Sequence, residues 1–96
     1  MELEFSNQMI EWRGPAPFYY VPIPPEESAL IKETARQTSY GWGVIPVRCV
    51  IGRTEFTTSL FPRDGVYLVP VKNAVRLPEK LQLGDEVSVS LEIDFC

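Results

Sequence analysis

Glu86-Val87-Ser88-Val89-Ser90-Leu91-Glu92-Ile93-Asp94-Phe95 decides how the rest of the chain is read. Five apolar residues (Val87, Val89, Leu91, Ile93 and Phe95) alternate with five polar ones. A period of two places all the apolar side chains on one face, which predicts a half-buried β-strand. Leu83-Gly84-Asp85 directly before it supplies a turn.

The same period recurs upstream. Ile45, Val47, Cys49 and Ile51 share one parity, with Arg48 on the other. Gly52-Arg53 predicts a tight hairpin into Glu55 to Phe61, where Phe56, Thr58 and Leu60 alternate with Glu55, Thr57 and Ser59. Pro62-Arg63-Asp64-Gly65 is a turn with a physical cause, since proline fixes one dihedral and glycine supplies a positive φ. Val66 to Val71 follows as a nearly continuous apolar strand. At the N-terminus Leu3 and Phe5 set a parity that Met9 to Trp12 continue past a bulge, and Phe18 to Ile23 returns antiparallel. Phe18, Tyr19 and Tyr20 are expected to pack over a helix.

One helix is predicted from Pro25 to Thr38. Proline suits its first turn, and Glu26 and Glu27 suit the positive end of its dipole. Leu30, Ile31, Thr34, Ala35 and Thr38 form its expected buried stripe. A shorter helical turn is expected at Lys72 to Leu77, stopped by Pro78. Nine prolines spread along 96 residues favour short elements and turns. The reading is one mainly β domain over residues 1–96, a small closed or nearly closed six-stranded barrel with one covering α-helix.

Composition excludes more chemistry than it suggests. The chain has no histidine, which removes Ser-His-Asp and Cys-His catalysis and most zinc sites. Its two cysteines, Cys49 and Cys96, form no CxxC motif and read as reduced thiols. Glu2, Glu4 and Glu11 stand where a signal peptide would carry basic residues, and no apolar run approaches the ~20 residues of a spanning helix. A cytoplasmic location is expected, with no membrane association, and no metal or cofactor is implied. The hydroxyls of Thr57, Thr58 and Ser59 lack any residue to activate them and read as strand-formers facing water.

Charge is unevenly placed. Residues 34–76 carry six basic residues (Arg36, Arg48, Arg53, Arg63, Lys72 and Arg76) against two acidic ones; the rest of the chain carries three against eleven. Such asymmetry points to an anion-binding face, whereas a plainer reading pairs each cation with a carboxylate on a neighbouring strand. Tyr40-Gly41-Trp42-Gly43 is the other local feature, because flanking glycines let a backbone turn sharply or approach a ligand. Trp42 either plugs the end of the barrel or floors a pocket anchored by Arg48 or Arg76. The candidate ligand-binding set is therefore Tyr40, Trp42, Arg48, Lys72 and Arg76. It suits a non-catalytic module for a small anionic ligand or a protein segment. An enzyme would require Lys72 or a buried carboxylate with a shifted pKa in the cleft. Nucleic-acid binding would use the basic segment against an overall pI near 4.7.

Several motifs in order carry a resemblance: Gly41-Trp42-Gly43, Pro46-Val47, Thr58-Ser59-Leu60-Phe61-Pro62, Leu68-Val69-Pro70-Val71-Lys72, Arg76 and Gly84-Asp85. From about Leu3 to Ile93 the chain resembles the prokaryotic domain of unknown function nineteen-oh-five. The resemblance implies a compact β-barrel, joined in some relatives to a segment of the bacteriocin-protection, OmpD-associated type. It implies no established activity. Tyr67 to Val89 alone is similar to the swapped-hairpin barrels of AbrB-type regulators, which bind DNA as dimers.

Overall fold

The computed structural model describes residues 1–12, 18–37 and 45–94. The chain runs β1 (Glu2–Gln8), β2 (Ile10–Trp12), β3 (Phe18–Pro22), α1 (Pro25–Arg36), β4 (Ile45–Ile51), β5 (Thr54–Arg63), β6 (Val66–Val71), α2 (Asn73–Arg76) and β7 (Glu86–Glu92). All pairings are antiparallel, and the strands form one seven-stranded sheet in the order β1-β7-β4-β5-β6-β3-β2.

Glycines set the hairpin registers. Ile51 faces Thr54 across Gly52-Arg53, and Gly52 has φ 60°. A two-residue turn with positive φ at its first central residue matches the right-handed twist of the strands it joins. The Glu79 carboxylate lies against this turn, accepting from Arg53 N–H at 3.3 Å and Thr54 Oγ1 at 2.7 Å. A Cβ on Gly52 would collide with that carboxylate. The next turn, Asp64-Gly65, has positive φ at both residues and brings Arg63 opposite Val66. β5 serves two neighbours in succession. Its first part pairs with β4 and its last residues with β6, so the sheet bends along this strand.

The sheet curls into a half-barrel, and the closed six-stranded barrel expected from the sequence is not formed. The N-terminal strand is split at Met9 into two elements, which become the two edges of the sheet. Up to Gln8 it pairs with β7, and from Ile10 it pairs with β3. At the switch, Met9 N–H donates to Asp85 O at 2.9 Å, while Met9 O accepts from Gly84 N–H at 3.0 Å. Two residues there oppose one, as in a bulge led by a positive-φ glycine, and Gly84 has φ 89°. Among the described residues no backbone ladder joins β1 to β3. A side chain spans the gap instead: Asn7 Nδ2 donates to Pro22 O at 3.0 Å, and Asn7 Oδ1 accepts from Gln8 N–H at 2.8 Å.

The core fills the concave side. Val47, Cys49 and Ile51 of β4 meet Val87, Val89 and Leu91 of β7, with Phe5 and Met9 from the N-terminal strand. α1 closes over this side through Ile31 and Ala35. The expected stripe is corrected at two positions: Leu30 is 55% exposed and Thr34 only half-buried, while Ser28 takes a buried place. Ser28 Oγ donates to Ile23 O at 2.9 Å and accepts from Tyr67 N–H at 3.1 Å, tying the helix to the end of β3 and to β6. Ser28→Ala leaves the buried Tyr67 N–H without its acceptor. The expected loss is about 1–3 kcal/mol, read as a lower urea midpoint with an unchanged slope.

The two halves of the sheet differ on their convex side. Over β1, β7 and β4 it is polar, with Glu2, Glu4, Ser88, Ser90, Glu92 and Arg48 facing outward. Over β3 and β6 it is apolar. Tyr20 and Leu68 are buried there without belonging to the core cluster, and the Tyr20 and Phe61 rings meet edge to face at 5.1 Å. The expectation that Phe18 and Tyr20 pack over the helix is therefore corrected. They share a parity that turns them away from the concave side where the helix lies, and Phe18 is 57% exposed. No helix among the described residues is long and apolar enough to cross a membrane.

Candidate functional site

β6 ends at Val71, and the chain turns at once into α2. Lys72 is the extended residue before this short helix, and its carbonyl accepts from Val75 N–H at 2.9 Å and Arg76 N–H at 2.8 Å. Spacing of four along a helical turn brings Lys72 and Arg76 to the same side. Arg76 is then held from two directions. Its guanidinium carbon sits 4.6 Å from the centre of the Tyr19 ring, and Nε and Nη2 donate to Asn73 Oδ1 at 3.3 and 3.2 Å. Tyr19 reaches this place because β3 and β6 pair with Tyr19 opposite Val71.

Tyr19, Lys72 and Asn73 border a cleft of about 380 Å³ at the end of the two strands, and Arg76 touches it only through Tyr19 and Asn73. Phe18, Tyr19 and Tyr20 line it from β3, Pro70 and Val71 from β6, and Lys72 and Asn73 close one end. Among the described residues neither Lys72 nor Arg76 forms an ion pair, and Arg76 Nη1 has no hydrogen-bond partner. A guanidinium stacked on an aromatic face and fixed by a side-chain amide is pre-organised to receive an anion.

The sequence-selected residues are only partly brought together. Lys72 and Arg76 lie four residues apart, at the residue before α2 and at its last residue. Arg48 does not join them: it lies on the polar convex face of β4, where the register sets it opposite Glu92 and its Nη1 lies 3.7 Å from that carboxylate. Glu2, Glu4 and Glu55 surround the same shallow surface. Tyr40 and Trp42 lie outside the described residues, as do Thr38 and Phe95. The other cations of the basic segment are largely engaged locally. Arg36 pairs with Glu33 at 3.4 Å and Arg63 with Asp64 at 3.5 Å. Sequence reasoning passed over Tyr19 and Asn73, the two residues that hold Arg76. The i,i+3 spacing from Asn73 to Arg76 was a usable local signal, whereas the Tyr19 contact depends on strand pairing.

A larger cleft, about 470 Å³, opens on the apolar convex side beside Ile10, Pro22, Val66 and Leu68. Its charged rim sets one cation, Arg63, against two carboxylates, Asp64 and Glu11, so it offers no excess of positive charge to select an anion. Among the described residues no group of three His, Cys, Asp or Glu side chains is placed to hold a metal ion.

Cys49 is fully buried, and desolvation pushes its thiol up from 9.0 to about 12. It is therefore a protonated core group and a poor nucleophile. In a Cys96→Ser variant, a thiol reagent at pH 8 is expected to leave the native protein unlabelled and to modify one thiol in denaturant. Because the folded thiol keeps its proton to higher pH than the unfolded one, this group's contribution to stability is complete below about pH 9 and is lost as pH rises towards 12.

A mainly antiparallel half-barrel with one principal helix defines the class. The chain belongs to the family described as Domain of unknown function (DUF1905), whose model matches residues 5–91. No curated protein gives a match to the chain.

Proposed function

We propose that the domain is a non-catalytic binding module whose cleft at the β3–β6 end takes a small anionic ligand, with Lys72 and Arg76 as its charged contacts. The observation that carries this reading is the pair of cations at the β6–α2 junction: Lys72 lines the cleft, and Arg76 is stacked on Tyr19 and held by Asn73, two other lining residues, with Nη1 uncommitted. Ordering the side chain before an anion arrives removes part of the entropy that binding would otherwise cost. An anion receiving charge-assisted hydrogen bonds from both cations would recover ~1.5–3 kcal/mol from each. Arg48, paired with Glu92 on the opposite half of the sheet, takes no part in this reading.

The test is an amide-shift titration of the labelled protein with acetate and with inorganic phosphate. Shifts centred on Tyr19, Lys72 and Arg76 are expected. A Lys72→Gln/Arg76→Gln double variant should weaken the response at least tenfold while keeping the dispersed spectrum of a folded domain. Equal responses from the two proteins would overturn the proposal.

A further inference from the structure

The outer edge of β1 is a second surface with groups left to pair. We infer that it takes an extended segment of another protein as an added strand, one that alternates basic and apolar residues. No residue of β1 lines the Lys72 cleft, so the two surfaces are distinct.

β1 stands at one end of the sheet, with β7 as its only ladder partner among the described residues. Hydrogen-bonded pairs alternate with non-bonded ones along an antiparallel ladder. At the two ends of this one, Ile93 N–H donates to Met1 O at 2.8 Å and Met9 N–H donates to Asp85 O at 2.9 Å. Both pairs continue the register that sets Leu3 opposite Leu91 and Phe5 opposite Val89. The odd-numbered residues of β1 therefore direct their backbone groups to β7, and the even-numbered ones direct theirs outward. Gln8 N–H is capped by Asn7 Oδ1 at 2.8 Å, where Asn7 also reaches Pro22 O at 3.0 Å. From Glu2 to Ser6 no group among the described residues receives the outward N–H and C=O. This open stretch is about 17 Å long, the reach of an ordinary strand. The other edge strand, β2, has only three residues to offer. Edges of soluble proteins are commonly blocked by a proline, a bulge or lysines. Glu2 to Ser6 has none of these, and its charges are acidic and confined to one face.

The two faces of β1 define what the added strand carries. On the convex face Glu2 and Glu4 stand beside Glu92 and Glu55, while Arg48 is already paired with Glu92. Neither Glu2 nor Glu4 has an ion pair among the described residues. On the concave side Leu3 packs against the core but is only half-buried, next to the buried Phe5. A strand laid antiparallel along the edge sets one residue directly opposite each of these. Lys or Arg opposite Glu2 and Glu4 meets an unpaired carboxylate, and an apolar residue between them covers Leu3. Main-chain pairing attracts any extended segment, and this alternation selects among them. A second copy of β1 fits less well. It would bring its own Glu2 and Glu4 to a face already short of cations, on a chain of net charge −4.

Three capped peptides test this against the isotopically labelled full chain, followed by amide shifts. The first is Thr-Val-Lys-Val-Lys-Thr, the second replaces both lysines by glutamate, and the third is the first with both lysine amides N-methylated. The lysine peptide is expected to shift the amides of Glu2 to Ser6 saturably, and less so as salt is raised. The glutamate peptide should bind severalfold more weakly, and the N-methylated peptide should not bind. Glu2→Gln/Glu4→Gln should weaken the lysine peptide severalfold and strengthen the glutamate peptide. Equal binding of the lysine and glutamate peptides would overturn the basic partner. Equal binding of the N-methylated peptide would overturn strand addition. Shifts at Glu2 to Ser6 that depend on protein concentration alone would assign the edge to a second copy instead. A β1 edge that stays silent at millimolar lysine peptide would overturn the site altogether.

Discussion

Val89→Asp is expected to leave the domain without a cooperative unfolding transition, and Leu91→Asp to do the same. Val89 and Leu91 are 2% and 3% exposed. β7 lies between β1 and β4, so Leu91 is flanked in register by Leu3 and Cys49, and Val89 stands opposite Phe5. A carboxylate at either place has no cation among the described core residues to pair with. It must be buried charged, take up a proton at a cost, or open the sheet. The penalty belongs to the class above ~4–5 kcal/mol, comparable with the whole stability of a small domain at ~5–15 kcal/mol. Ser88→Asp is the control. Ser88 is exposed and loses only a hydroxyl contact with Ser6 at 2.8 Å. Ser90→Asp is a less neutral control, because Ser90 lies directly across from Glu4. Like charges facing each other there should cost roughly 0.2–1 kcal/mol. Urea unfolding followed by circular dichroism reads all four variants. A folded Val89→Asp protein with a wild-type midpoint would show that the concave side is not the core.

β7 was legible because water covers one of its faces, so burial is written into every second residue. The turns at Gly52-Arg53 and Asp64-Gly65 were legible for an equally local reason, since positive φ restricts which residues fit. Barrel closure was not. The N-terminal strand keeps its alternation through Met9 while its pairing partner changes from β7 to β3, and a hydrophobic pattern records which side is buried without recording which strand lies alongside. Arg48 fails as a site residue for the same kind of reason. Nothing near it in sequence shows that the β4–β7 register delivers Glu92 to its side. Lys72 and Arg76 were readable because their proximity is that of one helical turn. The aromatic half of the cleft depends on Tyr19 facing Val71, a contact between residues far apart in the chain.

β6 breaks the alternation rule, and a charge is expected to be intolerable there at both parities. Leu68→Asp and Val69→Asp should both unfold the domain, although the two side chains point to opposite faces of the strand. Val69 is fully buried in the core cluster, and Leu68, outside that cluster, is still only 3% exposed. Its neighbours in register are Phe61 on one side and Pro22 on the other, with Tyr20 packed edge-on against Phe61. Leu68→Ala, which removes packing without adding charge, should cost about 2–5 kcal/mol, well above the change expected for an exposed strand leucine. Near wild-type stability in Leu68→Asp would mean that the convex side of this half faces water, as it does over β7. The unbroken run Val66-Tyr67-Leu68-Val69-Pro70-Val71 argues otherwise, since a strand with one wet face gains nothing from apolar residues at both parities. In this half of the sheet the second apolar surface is as much a part of the fold as the first, and the cleft at Phe18 and Pro70 opens at its end.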